Sequence, residues 1–196
     1  MKKIFIIIIF GVIALGYQAG NLYAENLMIA DFNRGKKPNL ISGDFGAWSK
    51  DDTDRTQYCI ESFTCKSNIV YKGKGCSLRL DYDVDSDNLP AYNGMWMRLE
   101  KINLAPYRYL TFYVKGDIKE GFTEKFKVVI KNMEQEQSSF LVNAIDENWQ
   151  KIVIPLDKMK PYADYSEIKE FLIVFEDETV TKKLGTIYID NIALEQ

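Results

Sequence analysis

Histidine is absent from all 196 residues. With it goes the one side chain that ordinarily titrates near neutral pH, so imidazole general-base catalysis and histidine-ligated zinc are excluded. No serine stands in a Gly-x-Ser-x-Gly context, which removes the strained nucleophile turn of the α/β-hydrolases. Asp and Glu number 28, yet nothing in their spacing selects a pair for two-carboxylate hydrolysis. The sequence therefore reads as that of a non-catalytic protein. Cysteine is scarce: Cys59, Cys65 and Cys76 are the three, and their spacing fits no zinc pattern. In an oxidising compartment they allow one disulfide and leave one thiol free. Three pairings are open: Cys59–Cys65 closing one short loop, or Cys59–Cys76 or Cys65–Cys76 tying that loop to a strand.

A long hydrophobic run is also missing. The apolar stretch from Ile4 to Leu15 is shorter than the roughly 20 residues of a membrane span. Lys2 and Lys3 precede it, and a more polar segment ends at the small residue Ala24. This is the layout of a secretory signal peptide, with an uncleaved anchor as the alternative. No cysteine follows the apolar run closely, which argues against a lipoprotein. Removal of residues 1–24 leaves 23 basic against 28 acidic residues, a net charge of −5. No basic patch stands out, which argues against nucleic acid as partner. The remaining 25–196 suit one domain.

Strand periodicity fills that domain. In 76–84, Leu78, Leu80, Tyr82 and Val84 alternate with Ser77, Arg79, Asp81 and Asp83. Leu110, Phe112 and Val114 share one face of 109–115, and Phe126, Val128 and Ile130 one face of 125–131. Residues 149–156 read as a strand ended by Pro155. Segment 170–176 places Phe171, Ile173 and Phe175 inward and Leu172 and Val174 outward. Weaker strands are expected at 27–32, 94–99 and 138–145. Segment 33–70 is weakly periodic and polar, and reads as a long loop. Segment 157–169 contains Pro161 and reads as a loop with one turn. In 186–194, Ile187 and Ile189 have the opposite parity to Ile192 and Leu194, which predicts a β-bulge at Asp190–Asn191. Many short strands with almost no helix predict an all-β protein, an antiparallel β-sandwich.

The runs YRYLTFYVKGD (107–117), EKFKVVIKN (124–132), ENWQKIVIPLDKM (147–159), IKEFLIVFED (168–177) and GTIYIDNIAL (185–194) resemble galactose-binding-like carbohydrate-binding domains. Family 11 carbohydrate-binding modules are similar over most of 27–194, the loop 50–70 with Cys59 and Cys65 being a departure, and the complex I intermediate-associated protein 30 family shares this type of sandwich. The resemblance implies a jelly-roll fold and a glycan ligand; a protein partner in the cell envelope is the rival that the second family implies. It also implies a structural Ca2+ near the start of the first strand and the end of the last, with Asp31 and Asp190 as side-chain ligands. Asn33 and the carbonyls of the Gly73–Gly75 turn are further candidates. Trp149 recurs in such domains and is expected in the core.

A glycan site needs flat aromatic rings beside a few placed polar groups. Parity turns Met95, Met97 and Leu99 inward and Trp96 and Arg98 outward. Tyr113 and Asp81 face outward on their own strands. If these strands are neighbours, Trp96, Arg98, Tyr113 and Asp81 share one face, with Tyr92 and Trp48 flanking it from loops. Cleavage after Ala24 is the outcome expected for the leader, checked by mass spectrometry of the exported protein; a membrane-bound chain retaining Met1 would refute it.

Overall fold

The computed structural model describes residues 25–196; the leader read over 1–24 lies outside the described residues. Eleven strands run in the order β1 (Leu27–Ala30), β2 (Phe45–Ser49), β3 (Tyr58–Thr64), β4 (Ser77–Asp83), β5 (Tyr92–Ile102), β6 (Tyr109–Gly116), β7 (Phe126–Asn132), β8 (Gln137–Val142), β9 (Gln150–Pro155), β10 (Ile168–Glu176) and β11 (Leu184–Glu195). They form two antiparallel sheets. The first has the order β3-β4-β11-β6-β9, with β1 also on β11; the second has the order β2-β5-β10-β7-β8. No described helix is long and apolar enough to cross a membrane.

The expected faces are buried as alternation requires. Leu78, Leu80, Tyr82 and Val84 of the first sheet meet Met95, Met97, Phe171, Ile173 and Phe175 of the second in one core. Tyr82 stacks on Phe175 across the layers at 4.1 Å between ring centroids, and Phe112 meets Phe171 edge-on at 6.3 Å. Full burial of such a side chain contributes about 1.5–3 kcal/mol. The Tyr82 hydroxyl cannot enter that core unpaired, and it donates to the Lys182 carbonyl at 3.0 Å.

The bulge in β11 is present. Between Asp190 and Ala193 this strand advances three residues while β6 advances two, from Tyr113 to Thr111. Asn191 takes up the extra residue in the left-handed region, at φ 47°. All four isoleucine and leucine side chains of the two parities, at 187, 189, 192 and 194, consequently reach the core. At the same place β11 exchanges partners, from β4 over 184–189 to β1 over 192–194.

Segment 33–70 departs from the expected single loop, because it contains β2 and β3. Segment 157–169 contains the end of a 3-10 turn at Leu156–Lys158 and is then largely irregular until β10 begins at Ile168. Of the three disulfide pairings, Cys65–Cys76 is the one formed, and Cys59 is free and buried. The loop this bridge closes lies over the outer face of the first sheet. Val70 is buried, and Tyr71 packs on Tyr113 at 4.0 Å. Closing a loop of this size stabilises the fold by about 3 kcal/mol. Reduction should therefore lower the melting temperature by several degrees. In thiol titration the native oxidised protein should show no fast-reacting thiol, and the denatured oxidised protein one, which peptide mapping should assign to Cys59.

Candidate functional site

The outer face of the second sheet carries a shallow groove of about 340 Å³ lined by Trp48, Trp96, Arg98, Glu170 and Leu172. Strand pairing builds it. Gly46, Trp96 and Leu172 lie abreast on β2, β5 and β10, and Arg98 lies opposite Glu170 one step along. Trp96 lies over Gly46: a Cβ there would sit 3.2 Å from the indole Cε2, Cζ2 and Nε1. The missing side chain lets the indole settle against the sheet. Gly94, next to Trp48 in register, has no room for a Cβ, which would strike the Ile173 carbonyl.

Polar groups border the rings. The Arg98 guanidinium stands over Trp96 at 5.5 Å from the ring, an arrangement that leaves its donors turned to solvent. The Trp48 ring meets Tyr92 edge-on at 6.0 Å, and Lys50 stands over Tyr92 at 5.7 Å. The Trp48 Nε1–H is shielded from solvent and has no hydrogen-bond acceptor among the described residues. A buried donor without a partner costs about 1–3 kcal/mol.

Four of the six expected ligand residues thus come together: Trp48, Tyr92, Trp96 and Arg98. Trp48 and Tyr92 were expected in loops and instead stand on β2 and β5, which aims their rings across the sheet. Tyr113 and Asp81 do not join them. Their strands, β6 and β4, belong to the first sheet and are separated there by β11, so the single shared face divides into two opposite ones. Tyr113 lies under Tyr71. Asp81 accepts two hydrogen bonds from Arg79 Nε, each 2.9 Å, and one from Thr186 Oγ1 at 2.5 Å. Trp149 is not a core residue. It is half-buried on the outside of the first sheet, where it meets Tyr71 edge-on at 5.6 Å and donates from Nε1 to the Ile69 carbonyl at 2.9 Å. Glu170 and Leu172 were not among the expected ligands; the alternation of 170–176 turns Leu172 outward, and Glu170 has the same parity.

Asp31 and Asp190 do approach each other. Pairing of Ala30 with Ile192 brings the end of β1 to the bulge. Asp190 is buried; it accepts from Ser77 Oγ at 2.5 Å and from the Asn191 N–H at 2.8 Å. Burial raises its pKa to about 6, and the charge of Asp31 adds to the shift. Asn33 packs on Gly75, where a Cβ would strike its amide oxygen. The end of β1 and the Gly73–Gly75 turn are therefore neighbours, as the calcium expectation requires. No cluster of three or more His, Cys, Asp or Glu side chains forms among the described residues.

The family model of carbohydrate binding domain 30 matches residues 40–196, a stretch that holds β2 to β11. No curated protein matches the chain. Among solved structures, the family 11 carbohydrate-binding module of a cellulosomal cellulase of Clostridium thermocellum is similar at a TM-score of 0.63 and 16% identity, over 87% of this chain and 94% of that one. The family 11 module of that organism in complex with a β-1,3-1,4-mixed-linked tetrasaccharide gives the same TM-score and identity, over 87% and 95%. An exo-β-agarase is similar at a TM-score of 0.58 and 13% identity, over 86% of this chain and 25% of its own. At such identities the structural likeness is one of fold, and the sandwich with its glycine-seated tryptophan stands on that fold. On the family match across 40–196 the chain belongs to the carbohydrate binding domain 30 family.

Proposed function

We propose that the protein is an exported, non-catalytic module that binds a polysaccharide or envelope glycan in the groove of Trp48 and Trp96. The observation that carries the reading is the Trp96 indole seated on Gly46 in a solvent-open groove, beside Arg98 and Glu170. Aromatic carbon gains by covering the apolar face of a sugar ring. Arg98 donates to its hydroxyls and Glu170 accepts from them. The groove is shallow and the polar groups are few, so affinity rests on several weak contacts. A groove with separated rings and charges of both signs suits a glycan better than a protein partner, whose interface core is depleted in charge.

Trp96→Ala separates binding from folding. A core tryptophan changed to alanine costs about 3–5 kcal/mol. Half-buried on the outside of the sheet, Trp96 should cost about 1 kcal/mol. Isothermal titration with the mixed-linked tetrasaccharide should show binding lost, while denaturant melts stay close to those of the unaltered protein. A loss of several kcal/mol in stability would place the indole in the core and defeat the reading.

Ca2+ held by Asp31 and Asp190 belongs to the same proposal. The donor set suits a hard cation, since every candidate is an oxygen. Neither carboxylate has an ion-pair partner among the described residues, so two negative charges face each other uncompensated. When bound, calcium supplies the missing positive charge. Asn33 and the carbonyls of the 73–75 turn would furnish further ligands.

The pH dependence follows from the direction of the Asp190 shift. Its folded pKa, raised to about 6 from 3.8, means that the folded chain holds this proton more tightly than the unfolded one. Stability from this group is complete below pH 4 and is lost as pH rises through 6, on the order of 3 kcal/mol. In chelator the protein should therefore melt lower at pH 7.5 than the Asp190→Asn variant. Millimolar calcium should raise the melting temperature of the unaltered protein by several degrees and leave that of the variant unchanged. Identical melting curves with calcium and with chelator would sink the assignment.

A further inference from the structure

Past Arg98, β5 turns away from the groove. Glu100 and Lys101 both have positive φ, 50° and 62°, and the chain then passes into the 103–108 loop at the end of the sandwich. Two adjoining cavities of about 550 and 360 Å³ open there, sharing Tyr107, Leu156 and Asp157. Arg108 and Tyr109 line the first, Tyr162 and Asp164 the second.

Scattered surface tyrosines are ordinary; three lining two adjoining cavities are a different matter. Tyr162 is 73% exposed, and Tyr107 and Tyr109 are half-buried. The hydroxyls of the buried Tyr82, Tyr165 and Tyr188 all donate to protein oxygens. Those of Tyr107, Tyr109 and Tyr162 have no protein partner among the described residues and stay available.

The loop that presents Tyr162 is held on both sides. Ser139 and Lys160 exchange backbone hydrogen bonds of 2.8 and 2.9 Å, and Ser138 Oγ donates to the Pro161 carbonyl at 2.6 Å. Asn132 Nδ2 donates to the Asp164 carbonyl at 3.2 Å, and the Leu104 N–H to the Tyr165 carbonyl at 2.9 Å. A backbone anchored in this way has lost most of its freedom before any ligand arrives, which lowers the entropic cost of ordering the loop on binding. The charges are mixed and loosely engaged. Arg108 is in no ion pair among the described residues, and Asp157 meets Lys158 at 3.8 Å. Isolated donors and acceptors of both signs suit an uncharged polyhydroxyl better than an ion.

We propose that this end of the sandwich is a second glycan contact, in which Tyr107 and Tyr162 cover sugar rings while Arg108 and Asp157 bond their hydroxyls. The inference rests on the glycan-binding reading of the groove. Ile102 lies six residue steps along β5 from Trp96, at most roughly 20 Å of strand. One polysaccharide chain reaches both places; a single sugar ring does not. Simultaneous engagement makes the second contact intramolecular, so a polymer is held more tightly than a short oligomer of the same linkage.

The test is a titration of the isotope-labelled protein with the mixed-linked tetrasaccharide and with cellotetraose, read by amide and indole N–H shifts. Movement of residues 103–108 and 157–166 together with the Trp48 and Trp96 indoles is expected. Tyr162→Ala removes an exposed ring and should leave the melting temperature in place. It should abolish the loop shifts and weaken retention on mixed-linked β-glucan gels at least about fivefold, with the indole shifts preserved. Tyr107→Phe, which keeps the packing and loses only the hydroxyl, should weaken retention to a smaller degree. Movement of the indoles alone overturns the second contact and leaves the groove standing. Movement of the loops alone supports the second contact and overturns the groove. No movement of either set with either sugar overturns both.

Discussion

One extra residue in β11 governs the first sheet. The strand lies between β4 and β6 and has to present Ile187, Ile189, Ile192 and Leu194 to the same core. Strict alternation would turn the second pair outward. The insertion at Asn191 resolves the conflict, and the strand bends where it is made. Everything near the bend follows from it. Asp190, turned outward by the alternation that precedes the insertion, is held at the bend. Ser77 Oγ accepts from the Tyr71 N–H at 3.2 Å and donates to Asp190, and β1 takes over the edge that β4 leaves. A buried carboxylate beside a second one follows from this geometry, and so does the calcium proposal.

The two sheets use their outer faces differently. On the first, the Cys65–Cys76 loop covers Tyr113, while Arg79, Asp81 and Thr186 bond to one another and Tyr188 donates to Asp117 at 2.6 Å. The polar groups there are largely engaged with one another. On the second, Gly46 and Gly94 lower the surface where the tryptophans lie, and Arg98 and Glu170 have no close partner across the strands. Aromatic rings occur on both faces. What distinguishes the open one is that Trp96 is seated on Gly46 and the groove beside it is left uncovered.

Most of the fold was legible in the sequence, because a strand with one dry face records that face in its alternation. Strand β3 was missed for a physical reason: it runs against the pattern. Tyr58 and Ile60 point to solvent, at 36% and 54% exposure, while Glu61 points inward, accepts from the Ala47 N–H and pairs with Lys37 at 2.8 Å. Strand β2 is short and contains the glycine that seats Trp96, so it reads as loop. The site was half legible. Parity states whether a side chain faces in or out, but not which sheet its strand joins, since that depends on pairings between segments far apart in the chain. Trp96 and Arg98 were correctly turned outward, as was Tyr113; only the strand order shows that Tyr113 stands on the other side of the molecule. Trp149 misled because a recurring tryptophan suggests a core. Its indole N–H instead fastens a loop from outside.

The position of β11 in the order of synthesis has its own consequence. It follows every other described strand in sequence, yet among the described residues it is the only link in the first sheet between the pair β3–β4 and the pair β6–β9. Until residues 184–195 are present, that sheet consists of two halves with unsatisfied edges facing each other. The contacts that join them are among the most distant in the chain, and such contacts form slowly. Removal of this strand would therefore not trim the sandwich at its margin but divide one of its layers in two.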